Sequence, residues 1–314
     1  MKPATSGLPH DRSSALIDNQ GNFSQRFEES IDLWATALLN DDGIIHPINK
    51  EGKIVNAKII VKEDGIFVGG EIIERLCSHW APSLKFKWNF NGGSKVSKGD
   101  VLVEISGGKT QLLKFERPIL NILGRLSGIT YTSNLWIMNS KIPIASTRKT
   151  TWGLLDKWAV HMGGALTHRL DRNDALMLKE NDLAAQYPRF NSEDRIKLAL
   201  DNIILEESGS FIILEVRSKK QAIIAAETWN NLRYDKPLTI MLDNLDVLVC
   251  DDIINTIHSL NFDINLFFEA SGGITLENLS DWENSLVHVI STSSIHRGTK
   301  PLDISLLFLE ASNE

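Results

Sequence analysis

Apolar positions along this chain follow two rhythms, and the change from one to the other divides it. Phe27, Ile31, Trp34 and Leu38 recur at every third or fourth position, so Arg26 to Leu39 carries one apolar stripe and is expected to be a helix. The stretch KIVNAKIIVKEDGIFVGG (53–70) is extended, and Asp64-Gly65 between its β-branched runs predicts a tight hairpin. Leu84, Phe86, Trp88 and Phe90 alternate with polar residues up to Asn91-Gly92-Gly93, and Val101, Val103 and Ile105 alternate again. Both are strands with one buried face, so this first part is an α+β module. From about Leu112 the pattern turns helical, and LLKFERPILNILGRLSGITYTSNLWIMNS is expected to form two helices meeting near Ser127-Gly128. Short apolar runs then alternate with helical stretches. The runs are Pro143 to Ser146, Ala175 to Leu178, Phe211 to Leu214, Leu238 to Leu242, Ile264 to Phe268 and Val287 to Ile290. The helical stretches are 154–162, 192–207, 218–232, 246–260 and 276–286. Such alternation is the mark of βα units with parallel strands. The fold class is α/β, a barrel preceded by the α+β module.

Each run ends in residues foreign to a core: Thr147-Arg148-Lys149, Lys179, Glu215, Asp243-Asn244, Glu269 with Ser271-Gly272-Gly273, and Ser291-Thr292-Ser293. In a parallel barrel the C-terminal strand ends share one rim, where ligands bind. Any one of these residues alone is as well explained as a solvated strand end; together they predict a polar pocket for an anion. Arg148, Lys149, His168, Arg169 and Lys179 form its cationic group, with arginine forks suited to carboxylate or phosphate. Glu215 and Asp243 supply opposite charge, a pattern that holds Mg²⁺ or meets a developing positive charge. Ser271-Gly272-Gly273 reads either as a tight turn or as a phosphate cradle, since its glycines let backbone N–H groups approach an anion. Arg117, in Glu116-Arg117-Pro118 at an expected helix start, is either a surface charge or a fork offered to a ligand. Of the eight tryptophans, Trp152 beside Lys149 is the one candidate for the pocket.

Composition narrows the partners. The 314 residues are 42% hydrophobic and 23% charged, which excludes disordered and collagen-like chains. A net charge of −7 argues against a nucleic-acid footprint but leaves room for a local cationic pocket. No apolar run reaches the ~18 residues of a membrane helix, and the polar start has no signal-peptide core. Cys77 and Cys250 both sit in apolar patterns, as reduced buried thiols would, and zinc is disfavoured because neither has a ligand neighbour at a useful spacing. The expected location is cytoplasmic.

FERPILNILGRLSGIT (115–130), STRKTTWGLLDKWAVHMGGALTHR (146–169), DALMLKEND (174–182), LEV (214–216), MLDN (241–244) and EASGGI (269–274) together resemble the quinolinate phosphoribosyltransferase family. The likeness runs from Gly65-Ile66-Phe67-Val68-Gly69 to Leu302-Asp303-Ile304. It implies an open TIM-like α/β barrel over 129–299 preceded by an α/β sandwich domain over 23–128. A polar lead over 1–22 precedes the sandwich, and the C-terminal residues 300–314 join it. The implied activity is that of a pentosyltransferase of NAD biosynthesis: quinolinate and phosphoribosyl pyrophosphate, with Mg²⁺, give nicotinate mononucleotide, pyrophosphate and CO₂. Implied partners are these two substrates and a second subunit, in a homodimer with shared sites or a hexamer of such dimers, with no nucleic acid and no membrane. By position, Arg148, His168, Arg169 and Lys179 with Thr147 resemble the quinolinate-binding group, and Arg117 the arginine lent by the partner subunit. Lys149 matches the lysine between the substrates, Glu215 and Asp243 the acidic pair facing ribose and metal. Ser271, Gly272 and Gly273, with Ser291, Ser293 and Arg297, match the phosphate-binding turns.

The chain also departs from that family. Trp152 replaces a usual proline, the Gly153–Lys157 segment is two residues short and lacks its usual arginine, and Asp182 replaces a frequent histidine. Ser293 replaces a glycine, and Arg297 a common histidine. Two rivals follow: a phosphoribosyltransferase paralogue acting on another aromatic acid, and a non-catalytic anion-binding barrel.

Overall fold

The computed structural model describes residues 7–49 and 52–309. They fall into two compact units, one built from 13–135, 150–164 and 295–309, the other from 7–12, 136–149 and 165–294.

In the first unit, α1 (Gln25–Asp41) starts where the Ser24 hydroxyl accepts the Phe27 N–H, and its buried stripe is Phe27, Ile31, Ala35 and Leu39. The antiparallel sheet uses β1 (Ile54–Val61), β3 (Lys85–Trp88), β5 (Val101–Gly108) and β12 (Ile304–Phe308) in the order β12-β1-β5-β3. The hairpin expected at Asp64-Gly65 does not form. β2 (Gly65–Phe67) pairs with β4 (Ser94–Val96) rather than with β1, and Asp64 Oδ1 accepts the Lys98 N–H at 3.0 Å, so the aspartate braces a different turn. α2 (Gly70–Trp80) buries Ile72, Ile73, Leu76 and Cys77.

The expected pair of helices is a single α3 (Lys109–Met138), with Pro118 in its interior instead of at its start. Pro118 forfeits one helical hydrogen bond. Leu112, Phe115, Ile119, Ile122, Leu123 and Leu126, all buried, outweigh that loss. Gly128 is no break either: a Cβ there would lie 2.2 Å from the Lys300 carbonyl oxygen, so glycine permits a close backbone approach. α4 (Leu154–Met162), expected to flank a barrel strand, packs on α1 through Phe27 and Trp158, whose rings are 6.0 Å apart.

The second unit is an open, parallel half-barrel. Its strands are β6 (Ile144–Ser146), β7 (Leu176–Leu178), β8 (Ile212–Val216), β9 (Leu238–Asp243), β10 (Leu266–Ser271) and β11 (Val289–Thr292), in the order β6-β11-β10-β9-β8-β7. Each overlaps one of the six apolar runs read from the sequence. Its helices are α5 (Glu180–Gln186), α6 (Ser192–Asp201), α7 (Lys219–Leu232) and α8 (Val247–Ser259). Ser218 and Asp246 cap the last two by accepting the Gln221 and Val249 N–H groups. No α-helix forms over 276–286, only a short 3₁₀ turn at Leu279–Trp282, because the Asn278 side chain bonds back to Thr275 N–H and Gly273 carbonyl and competes with a helical start. Register places Glu215, Met241, Glu269 and Val289 on one rung and Asp243, Ser271 and Ser291 on the next rung towards the mouth. Below them Ala175, Phe211 and Ile213 pack with Met241 to fill the interior. Among the described residues, no helix is long and apolar enough to cross a membrane.

Candidate active site

The strand ends of the half-barrel surround one cavity of about 750 Å³. β6 delivers Thr147, Arg148 and Lys149, the segment before β7 His168 and Arg169, and the end of β7 Lys179. β8 and β9 supply Glu215 and Asp243, β10 Ser271, Gly272 and Gly273, and β11 Ser291 and Ser293. Arg117 and Arg297 are exposed and lie outside this lining. Trp152 is outside it too: its ring lies 4.9 Å from the Arg125 guanidinium, a cation–π contact. Arg125 also forks onto the buried Asp156, whose Oδ2 accepts the N–H groups of Thr151 and Trp152. The 151–156 segment is thus tied down by its own aspartate.

Charges in the cavity are arranged by sign. Arg169 is half-buried, and burial first, then Arg148 and Arg172, holds its guanidinium down to about 10. Crowded, partly desolvated cations of this kind are what a dianion relieves. Arg169 is aimed by bonds from its guanidinium to the Ala175 carbonyl at 3.1 Å and the Met177 sulfur at 3.3 Å. At the end of β7, Lys179 Nζ donates to Glu215 Oε2 at 2.7 Å. Arg217, a lining residue missing from the sequence-based set, spans the acids. Its Nε lies 3.3 Å from Asp243 Oδ2 and its Nη2 3.5 Å from Glu215 Oε1, and it also pairs with Glu180. It stands two places past Glu215, three residues beyond the apolar run, and that position was the only signal for it.

The glycine turn is shaped by its neighbour. Gly272 has φ +86°, and a Cβ on it would lie 2.4 Å from Asn244 Oδ1. Asn244, itself at φ +56°, donates its backbone N–H to the Ser271 carbonyl at 2.8 Å. Only glycine fits there, and a backbone N–H in such a turn is the kind that donates to a phosphate oxygen.

Glu269 is a correction. Read as a rim residue, it is wholly buried one rung below, where its carboxylate meets His10 Nε2 at 3.1 Å and His168 Nε2 at 3.0 Å. Burial by itself raises that carboxyl, but His168 and His10 reverse the effect and hold it well below the usual carboxylate range. His168 Nδ1 accepts the Arg169 N–H at 2.7 Å, so its Nε2 carries the hydrogen that Glu269 accepts. His10 was invisible as a site residue because it lies 259 positions from its partner, in a stretch without periodicity.

Comparison with known proteins follows the same lines. The family model for the quinolinate phosphoribosyl transferase C-terminal domain matches residues 130–307, and that for the N-terminal domain residues 32–127. The chain is 33% identical over 261 residues to quinolinate phosphoribosyltransferase (decarboxylating) 1 of Nicotiana glauca, covering 80% of this chain and 72% of that protein. It is 33% identical over 267 residues to the chloroplastic nicotinate-nucleotide pyrophosphorylase (carboxylating) of Arabidopsis thaliana, covering 80% and 73%. Among solved structures, NadC from Streptococcus pyogenes superposes with a TM-score of 0.73 at 26% identity, over 90% of this chain and 98% of that one.

Proposed function

The chain belongs to the quinolinate phosphoribosyl transferase family, and on that premise we propose that its barrel mouth performs the family's reaction. The ring nitrogen of quinolinate takes phosphoribosyl from phosphoribosyl pyrophosphate, and pyrophosphate and CO₂ leave as nicotinate mononucleotide forms for NAD biosynthesis. The observation that carries this reading is a single cavity whose lining brings together Arg148, Lys149, Arg169 and Lys179, the acids Glu215 and Asp243, and a glycine turn.

Quinolinate has two adjacent carboxylates, matched by the forks of Arg148 and Arg169 and by Lys179. Lys149 bridges towards the second substrate, and the turns at Ser271-Gly272-Gly273 and Ser291 to Ser293 take the 5′-phosphate. As pyrophosphate departs, the sugar gains positive charge, which Glu215 and Asp243 stabilise. The nitrogen becomes a pyridinium as it attacks, and that charge stabilises the electrons left when CO₂ departs. No covalent nucleophile is required, and the protein's part is to orient and balance charge.

Glu215 and Asp243 are also the residues that would hold Mg²⁺, directly or through water; their hard oxygens suit it, and its part is to neutralise the pyrophosphate. Lys179 and Arg217 engage those oxygens here. Arg117, exposed on α3, is assigned to a partner subunit's site in a homodimer. A cytoplasmic location fits two free, buried thiols, with Cys250 pushed up to about 12 by burial and two aspartates.

The test is release of CO₂ and pyrophosphate, in equal amounts, from quinolinate plus phosphoribosyl pyrophosphate. Pyrophosphate released from nicotinate, with none from quinolinate, would favour the paralogue. No release from either, by folded protein that still binds both, would favour the anion-binding barrel. Full turnover in EDTA would remove Mg²⁺, and mixing inactive Arg117→Ala with inactive Lys179→Ala subunits should restore activity if the sites are shared.

A further inference from the structure

The half-barrel leaves its edge strands β6 and β7 unpaired with each other, and an N-terminal strap lies in that seam. Residues 166–168 first extend the sheet beyond β6: Leu166 N–H donates to the Ile144 carbonyl at 2.7 Å, and Ser146 N–H to the Leu166 carbonyl at 2.9 Å. Residues 8–12 then line the far side of that segment. Leu8 packs on Ala145, Leu166 and Val289, and the His10 carbonyl accepts the His168 N–H at 2.7 Å. Arg12 N–H donates to Thr167 Oγ1 at 2.8 Å, and its guanidinium pairs with Asp174, just before β7.

His168 has φ +53°, a conformation uncommon for residues with a side chain. Three contacts impose it: the His10 carbonyl on its N–H, Glu269 on its Nε2, and the Arg169 N–H on its Nδ1. The second imidazole on Glu269 is again His10, wholly buried and edge-on to His168 with ring centroids 5.1 Å apart. His168 lines the cavity itself, and the Arg169 N–H on its Nδ1 also ties it to the backbone that carries the Arg169 guanidinium.

We propose that His10 is a positioning residue, and that the 8–12 strap holds His168 and Arg169 in the conformation that receives the diacid. This rests on the functional reading above and adds to it a residue that none of the quoted motifs contains. The strap's backbone bonds reach His168 and Thr167 beside Arg169, whereas on β10 and β11 it meets Glu269 and Val289, one rung below the phosphate-side turns, so its effect should fall chiefly on one substrate.

His10→Ala should therefore raise the KM for quinolinate about tenfold, leaving the KM for phosphoribosyl pyrophosphate within about twofold. His10→Gln, whose amide N–H can donate to Glu269, should recover most of that loss. Amide hydrogen exchange over 166–170 should be faster in His10→Ala by about the same factor and close to wild type in His10→Gln. A folded His10→Ala with unchanged exchange and unchanged KM values would overturn the proposal, as would an equal rise in both KM values. Metal bound stoichiometrically to the wild type and lost in His10→Ala would overturn it as well, because coordination would then replace these hydrogen bonds. If wild-type protein released no CO₂ from quinolinate, the functional reading would fail, while the exchange comparison would still decide the role of the strap.

Discussion

Glu215 and Glu269 stand on one rung of the same sheet, each opposite Met241, and they have opposite fates. Glu269 is sealed beneath two imidazoles and wholly buried. Glu215 keeps a little exposure at the mouth, where its partners are Lys179, with a side chain 46% exposed, and Arg217, 53% exposed. A buried carboxylate with fixed donors is part of the architecture, since removing a donor leaves an unmet group. A carboxylate held by long, half-solvated cations can trade them for a ligand at little cost. The strand end alone does not separate structure from chemistry; what covers the end does.

The strongest way to break this comparison is at the mouth. Lys179→Ala or Arg148→Ala should lower kcat/KM by ~10²-fold or more, because each loses a desolvated charge contact worth ~3 kcal/mol to the bound diacid. Their melting temperatures should stay near wild type, as Lys179 is half in water. Near-normal kinetics in either variant would take that residue out of the site.

Glu269→Gln should show the converse, a clear fall in Tm, with ~1–3 kcal/mol lost as an amide N–H is turned against two N–H donors. Its pH dependence has a definite sign. The native carboxyl lies below its ordinary value, so its contribution is whole above the unfolded value of about 4.3 and fades as pH falls through the lower native one. The Tm gap between wild type and variant should be flat above about pH 5 and narrow below about pH 4. A gap that widened on acidification would contradict the ionised, histidine-bound carboxylate.

These two sites also mark what the sequence could reveal. Glu215 ends an apolar run and was read as a rim group from that position alone, because β8 and its turn are contiguous in the chain. Glu269 ends a run in the same way, yet its burial depends on His10, a residue from the opposite end of the unit. The six parallel strands were legible because a fully buried strand is a short apolar run whatever lies around it. The single α3 was not, since Pro118 and Gly128 look like breaks until buried neighbours and the Lys300 backbone explain them. Arg217 sits past the end of its run, where pattern says nothing about the direction of a side chain.

A smaller effect is expected at the glycine turn. Gly272→Ala forces a Cβ against Asn244 at a backbone angle unsuited to alanine, which disturbs the phosphate side and leaves the cationic wall intact. The KM for phosphoribosyl pyrophosphate should rise several-fold, about 3–10, with that for quinolinate nearly unchanged. Taken with His10→Ala, it should give opposite substrate patterns from two sides of one cavity, and the same pattern from both would merge the two subsites.

The finest test concerns Arg217, which holds Glu215 and Asp243 in the way an ion would. Its contacts of 3.3 and 3.5 Å are long, and its guanidinium is more than half exposed, so the hold is weak, ~0.2–1 kcal/mol. If Mg²⁺ binds these carboxylates, it must first displace that charge. Removing the charge in Arg217→Ala should shift the Mg²⁺ activation curve to lower concentration by about 1.5- to 5-fold, the factor equivalent to that energy. Raising ionic strength should shrink the shift, since an exposed ion pair weakens as salt is added. An activation curve that does not move would mean that the ion and the guanidinium do not compete, and that Glu215 is held for chemistry by Lys179 alone.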